Sequence, residues 1–272
     1  MSQVPQYSTL ALCLDEQVLD ICLNRPASAN ALNADMWVEL QQAFEWADAT
    51  PEVRVVILSG EGKHFCAGID LSMFGDIHSN HQDPAVAAEH FVAHVRGLQR
   101  NLQSLQVCRK PVLAAIHGAC VGAGIDMVCY ADMRYCTEGT SFCVKEIDIG
   151  IVADVGTLQN MPSLMPEGLV RELAYTGRKM FAEEACRAGF VNGVYADREA
   201  MMAGVREIAK TIASKAPLAM RGTKQVITYT RDHSVEEGLE YVALWNASMM
   251  SRVEVQEAMT ATMEKRAANF DD

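Results

Sequence analysis

Val112-Leu113-Ala114-Ala115-Ile116-His117-Gly118-Ala119-Cys120-Val121-Gly122-Ala123-Gly124-Ile125-Asp126 is the stretch on which the fold turns. Residues 112–116 are an unbroken apolar run of strand length, as expected of a strand covered on both faces. Residues 117–124 read as a glycine-rich turn and 125–131 as helix. An earlier segment repeats the arrangement. The β-branched run 53–58 ends at Ser59-Gly60, and Gly62-Lys63-His64-Phe65-Cys66-Ala67-Gly68-Ile69-Asp70-Leu71 follows. Both segments place small residues at the carboxyl end of a parallel strand, where ligands of open α/β sheets bind. Small residues there let a ligand approach backbone N–H groups, and the second turn feeds a helix N-terminus. Side by side, the two turns would aim two N–H donors at one oxygen. Taken alone, each is more often a simple chain reversal.

Working outward, residues 9–14 and 18–23 are short apolar runs separated by Asp15-Glu16-Gln17, which predicts a hairpin stopped by Asn24-Arg25-Pro26. Asn33 is placed to cap a helix carrying Met36, Leu40 and Phe44 on one stripe. From Pro84 a long amphipathic helix sets Phe91, Val95, Leu98, Leu102 and Leu105 along one face. Strand-then-helix alternation argues for parallel strands joined by crossover helices. Beyond Asp197 the pattern becomes helical throughout, over 198–214, 218–229, 235–248 and 253–267. Pro217 suits a first helical turn, and Ser234 with Glu237 fits a capping box. The reading is an α/β core over residues 1–197 and a helical C-terminal module over 198–272.

The 272 residues are 50% hydrophobic and 21% charged, with Asp+Glu 35 against Lys+Arg 23 and a net charge of −12. This is too apolar for a disordered chain, and an acid excess this large repels a phosphate backbone, arguing against nucleic acid. Nine cysteines without a C-x-x-C pair indicate neither zinc nor a disulfide framework, and fit free thiols in a reducing cytoplasm. No secretory or mitochondrial leader and no peroxisomal address is visible, and the longest uncharged stretch, 111–125, is too short to span a bilayer. A cytoplasmic protein with no membrane partner is the expectation.

Nucleotide signatures are missing: Gly118, Gly122 and Gly124 do not make G-x-G-x-x-G, and Gly60-Glu61-Gly62-Lys63 lacks P-loop spacing. No G-x-S-x-G elbow occurs. His90 and His94, four apart with His78 and His81 nearby, have a chelating spacing. Phe91 stands where a zinc-protease helix needs glutamate, no third ligand is fixed, and a solvated helix face explains them; no metal is expected. Glu146, Asp148 and Asp154 lie in an apolar, glycine-punctuated stretch, so each should be paired, exposed or functional. For Asp154 a helix N-cap ahead of Thr157 competes with a functional role.

Together the segments resemble the crotonase (enoyl-CoA hydratase/isomerase) superfamily. The likeness runs through Asn24-Arg25-Pro26, Asn30-Ala31-Leu32, the 65–71 segment, the 117–126 turn and Ala131-Asp132-Met133-Arg134. It continues through Glu146 to Gly150, Ala174-Tyr175-Thr176-Gly177-Arg178 and Gly189-Phe190-Val191. The resemblance implies an α/β spiral of ββα units, a C-terminal helical trimerisation module, and a homo-hexamer built as a dimer of trimers. It also implies a coenzyme A thioester as substrate, with no separate cofactor. The family's oxyanion hole falls on the backbone N–H groups of Ile69 and Ala123. Most relatives carry glycine at the second position, and a backbone donor tolerates alanine. Each such donor is typically worth about 3–4 kcal/mol. Substrate and coenzyme A would lie against Arg25, Lys63, Gly68, Asp70 and Leu71, with the two cations serving the polyanionic cofactor moiety.

Within the superfamily the acids select the reaction. Hydratases resemble this chain at Glu146, place a second glutamate where Asp126 stands, and have glycine at Asp154. Asp126, Glu146 and Asp154 together resemble the dienoyl-CoA isomerase branch. That branch converts 3,5-dienoyl-CoA to 2,4-dienoyl-CoA, taking a proton from C2 and delivering one to C6. Asp154 would be the base, Glu146 the acid, and Asp126 a group that tunes Glu146. Phe74, Ile77, Val144, Ile149 and Ile151 would line the acyl channel, with the polar loop 76–84 as a flap. Hydration of trans-2-enoyl-CoA is the nearest alternative, and a non-catalytic acyl-CoA or RNA-binding member the more distant one.

Overall fold

The computed structural model describes residues 3–76 and 81–271. The chain begins with β1 (Leu10–Asp15) and β2 (Val18–Leu23), the expected antiparallel hairpin. Next come α1 (Ala34–Ala49), whose N-cap Asn33 accepts from the Met36 N–H, and β3 (Val55–Gly60). The long helix α2 (Pro84–Val107) leads to β4 (Val112–Ile116). From β2 onward the neighbours pair in parallel, in the order β1-β2-β3-β4, then β6 (Met133–Thr137) and β9 (Gly193–Tyr195).

The central strands β3 and β4 are buried along their whole length because both faces are covered. Val56, Leu58, Val112, Ala114 and Ile116 enter the core beneath α1 and α2, while Val55, Ile57, Leu113 and Ala115 face the opposite way. That second face is covered by Met201, Val205, Ala209 and Ala213 of α7 (Arg198–Ala213). The change of composition at residue 198 therefore does not coincide with a packing boundary: α7 closes the core of the preceding sheet.

The 117–124 turn contains a strand the sequence pattern did not show. β5 (Ala119–Val121) pairs in parallel with β7 (Ser141–Cys143), which pairs with β8 (Met180–Phe181). Strands of two or three residues are too short to display a period. Leaving β4, the chain thus passes β5 into α3 (Ala123–Cys129), and leaving β6 it passes β7 into a 3-10 turn at Glu146–Ile149 and α4 (Thr157–Asn160). These ββα turns wind into a spiral, completed by α5 (Glu167–Thr176) and α6 (Ala182–Arg187).

The remaining helices are α8 (Pro217–Arg231), α9 (Val235–Met249), opened by the expected Ser234–Glu237 capping box, and α10 (Arg252–Glu264). Lys224 fastens α8 to the core: its buried Nζ donates to the carbonyls of Leu105 and Lys110 and pairs with Asp132 at 2.8 Å. Among the described residues no helix is long and apolar enough to cross a membrane.

Candidate active site

The two glycine-bearing turns meet where β3 and β4 end. Cys66 bridges in parallel to Cys120, its N–H donating to the Ala119 carbonyl and its carbonyl accepting from Val121. Leu32 bridges to Ile69 from the other side. Gly68, at φ +98°, makes the contact possible, because a Cβ there would stand 3.1 Å from the Val121 carbonyl oxygen and 3.7 Å from the Ala123 nitrogen. Among the described residues neither the Ile69 nor the Ala123 N–H donates to a protein acceptor. Ala123 opens α3, where an N–H has no partner inside the helix. Its φ is not positive, so alanine carries no backbone strain there. The next position is stricter, since a Cβ at Gly124 would stand 3.0 Å from that of Cys66.

Ile69 and Ala123 both line a cavity of about 580 Å³ whose wall also includes Asp126, Glu146 and Asp154. β7 delivers Glu146, and the Gly122 N–H, donating to the Cys143 carbonyl, ties that segment to the α3 turn. A Cβ on Gly122 would come within 3.2 Å of Glu146 Oε1. Glu146 is 8% exposed, its Oε2 has no hydrogen-bond partner, and burial pushes its carboxyl above the usual range, with Asp154 adding to the effect. Asp126 is 2% exposed. Burial lifts its carboxyl to about 7, against the pull of the Thr157 N–H and with further push from Glu146 and Asp154.

The helix-cap alternative for Asp154 does not describe the structure. Gly156 stands at the N-cap of α4 without a side-chain cap, and Asp126 Oδ1 accepts from the Thr157 N–H at 2.7 Å. Asp154 instead lines the cavity, and its other flank borders a polar cavity of about 400 Å³. Burial raises its carboxyl as well. Three acids with raised affinity for protons therefore share a wall with two unpaired amides, an arrangement suited to moving protons beside a carbonyl oxygen.

Gly68, Ile69 and Leu71 lie on the cavity wall. Asp70 turns away, accepting from Ser72 and pairing with Arg25 at 2.9 Å; Arg25 also donates to the Ala31 carbonyl. Lys63 is exposed on the preceding loop. Of the proposed channel residues, Ile149 and Ile151 line the cavity, whereas Val144 is buried in the core. The Phe74 side chain, Ile77 and His78 lie outside the described residues, as do positions 77–80 of the flap.

The α2 stripe divides. Leu102 and Leu105 are core, but Phe91, Val95 and Leu98 line the cavity. Buried Trp37 of α1 joins them, as does His94, which helical spacing alone assigns to solvent. Lys145, also on the wall, is ion-paired with Asp148. Among the described residues no group of three metal-ligating side chains converges.

The family model for enoyl-CoA hydratase/isomerase matches residues 14–272. The chain belongs to this family. It is 42% identical over 270 residues to the peroxisomal Delta(3,5)-Delta(2,4)-dienoyl-CoA isomerase of Arabidopsis thaliana, covering 97% of each chain. To the mitochondrial enzyme of that name from Mus musculus it is 41% identical over 254 residues, 92% of this chain and 78% of the relative. Its crotonase fold superposes on a crystal structure of enoyl-CoA hydratase from Bacillus anthracis with a TM-score of 0.87 at 28% identity, covering 97% of this chain and 99% of that one. Family membership accounts for the spiral core and the helical C-terminus together.

Proposed function

We propose that this chain isomerises 3,5-dienoyl-CoA thioesters to 2,4-dienoyl-CoA. The observation that carries the reading is the joint placement of Asp154 and Glu146 on the wall of one largely apolar cavity that presents the Ile69 and Ala123 amides. The dienoyl-CoA isomerases among its relatives support the same reading. With the thioester oxygen between the two N–H groups, the C2 proton passes to the Asp154 carboxylate and the electron pair enters a dienolate held by those donors. Collapse of the dienolate takes a proton at C6 from Glu146, whose burial favours the protonated acid. C2 and C6 are too far apart for one carboxyl to serve both, so an acid at each end fits the chemistry. The step conserves atoms and electrons. It leaves Asp154 protonated and Glu146 ionised, and proton exchange resets them. Asp126, beside Glu146, disfavours that ionised form and helps return the proton.

The test is direct. Purified protein given a 3,5-dienoyl-CoA should develop 2,4-dienoyl absorbance, and Asp154→Asn should lower the rate about 10²–10⁴-fold. A variant as fast as wild type sinks the assignment. Efficient hydration of crotonyl-CoA without dienoyl turnover would replace it with a hydratase. The nine free cysteines fit a reducing setting, and we keep a cytoplasmic location as part of this proposal.

A further inference from the structure

Asp154 has a neighbour that the proposed chemistry leaves unused. His94 stands on α2 and lines the same cavity, one turn from both Phe91 and Leu98. The helix is fastened to the Asp154 segment, because Gln99 Nε2 donates to the Asp154 carbonyl at 2.7 Å. The helix that bears His94 is thus tied to the Asp154 backbone, and both side chains belong to the lining of one cavity. The other ionisable groups around that carboxyl are acids or cations engaged elsewhere. Glu146 and Asp126 share the cavity, and Lys145 is paired with Asp148. On the polar flank lie Tyr130, Asp232 and Arg231, whose guanidinium donates to Asn160 at 3.3 Å. On α2 itself, His90 makes an edge-on ring contact with His81 at 6.1 Å, and Glu89 and Arg96 are exposed.

We propose that His94 is a positioning residue for this site: as an imidazolium it keeps the Asp154 carboxylate ionised and thereby sets the acid limb of the enzyme's pH dependence. The inference rests on the reading in which Asp154 takes the C2 proton. Burial raises the Asp154 carboxyl, its own backbone N–H opposes that rise, and the His94 charge opposes it further. The sign follows. A positive charge beside a carboxylate favours its ionised form, so losing that charge moves Asp154's titration to higher pH. Histidine is the side chain whose charge changes nearest physiological pH, so the comparison is read across that range.

His94 is exposed on a helix, so its replacements leave the core intact. In kcat/KM for 3,5-dienoyl-CoA, His94→Gln should run about threefold to tenfold below wild type near about pH 5.5, with the two profiles meeting above about pH 8. His94→Lys, which keeps a cation, should restore the low-pH rate. Profiles of wild type and His94→Gln that overlay at every pH overturn the inference, and so does a uniform loss that Lys fails to restore. The second readout needs no turnover: in ¹³C NMR the Asp154 carboxyl should titrate at higher pH in His94→Gln than in wild type, and an unchanged titration overturns the inference. A wild type with no dienoyl-CoA turnover overturns the isomerase reading instead, and the carboxyl titration then decides the role of His94 by itself.

Discussion

Asp126 gives one carboxyl oxygen to the Thr157 N–H and is otherwise enclosed, with its titration lifted to about 7. Its folded form therefore holds a proton more tightly than the unfolded chain does. The resulting stability is present in full below the ordinary aspartate range and is lost as pH rises through about 7. Asp126→Asn keeps an acceptor for Thr157 and removes the titration. We expect the urea midpoint of the wild type to fall between about pH 5 and about pH 8 by more than that of the variant. Equal falls would show that Asp126 titrates normally. Glu146 and Asp154 were legible in the sequence because a carboxyl among apolar neighbours calls for a reason, whereas Asp126 gained a role only through the family resemblance. Trp37 and His94 were not legible, since a helix face looks the same in sequence whether it borders core, water or a cavity.

The element that matters most is the contact between two turns, and Gly68 is its hinge point. An added methyl there meets the Val121 carbonyl oxygen while the backbone stays at φ +98°. Gly139 provides a control, because its φ is +75° but a Cβ would find nothing within 4 Å. Both Gly68→Ala and Gly139→Ala should lose about 1 kcal/mol of stability from the backbone alone. Only Gly68→Ala should also lower kcat, by about tenfold or more, because it displaces the Ile69 and Ala123 amides proposed to hold the thioester oxygen. Thermal melts and single-turnover rates for the pair separate the two effects; equal kcat in both variants removes the close-approach argument. At this scale the parallel sheet was readable from its apolar runs, which reach both faces. β5, β7 and β8 were not, because their pairing is decided by where longer strands bring them. The sequence could not choose between a cap and a functional role for Asp154, because the Thr157 N–H is served by Asp126, 31 residues away, and sequence spacing reports only local caps.

At the scale of the molecule, the C-terminal helices are the part that a single chain leaves unfinished. α9 buries only Gly238, yet Val235, Leu239 and Leu244 each remain more than half exposed. On α10, Met259 and Met263 are exposed on one face and border a groove shared with Val255 and Met250. Apolar surface gathered this way on consecutive helices marks an interface. Its occupant, we propose, is a second copy of the chain, in the dimer of trimers that the family resemblance implies. The sequence announced the helices through their caps and periodicity, but their apolar residues could equally have packed inward; only the fold shows them facing out. Sedimentation at micromolar concentration should give a mass about six times the 29.8 kDa chain. Leu239→Glu with Met259→Glu should shift it to smaller species, because charge on a buried apolar face is costly. The spiral core should stay folded by circular dichroism, since neither residue belongs to its two core clusters. A wild type that sediments as a monomer overturns the assembly and would leave these helices needing a different cover.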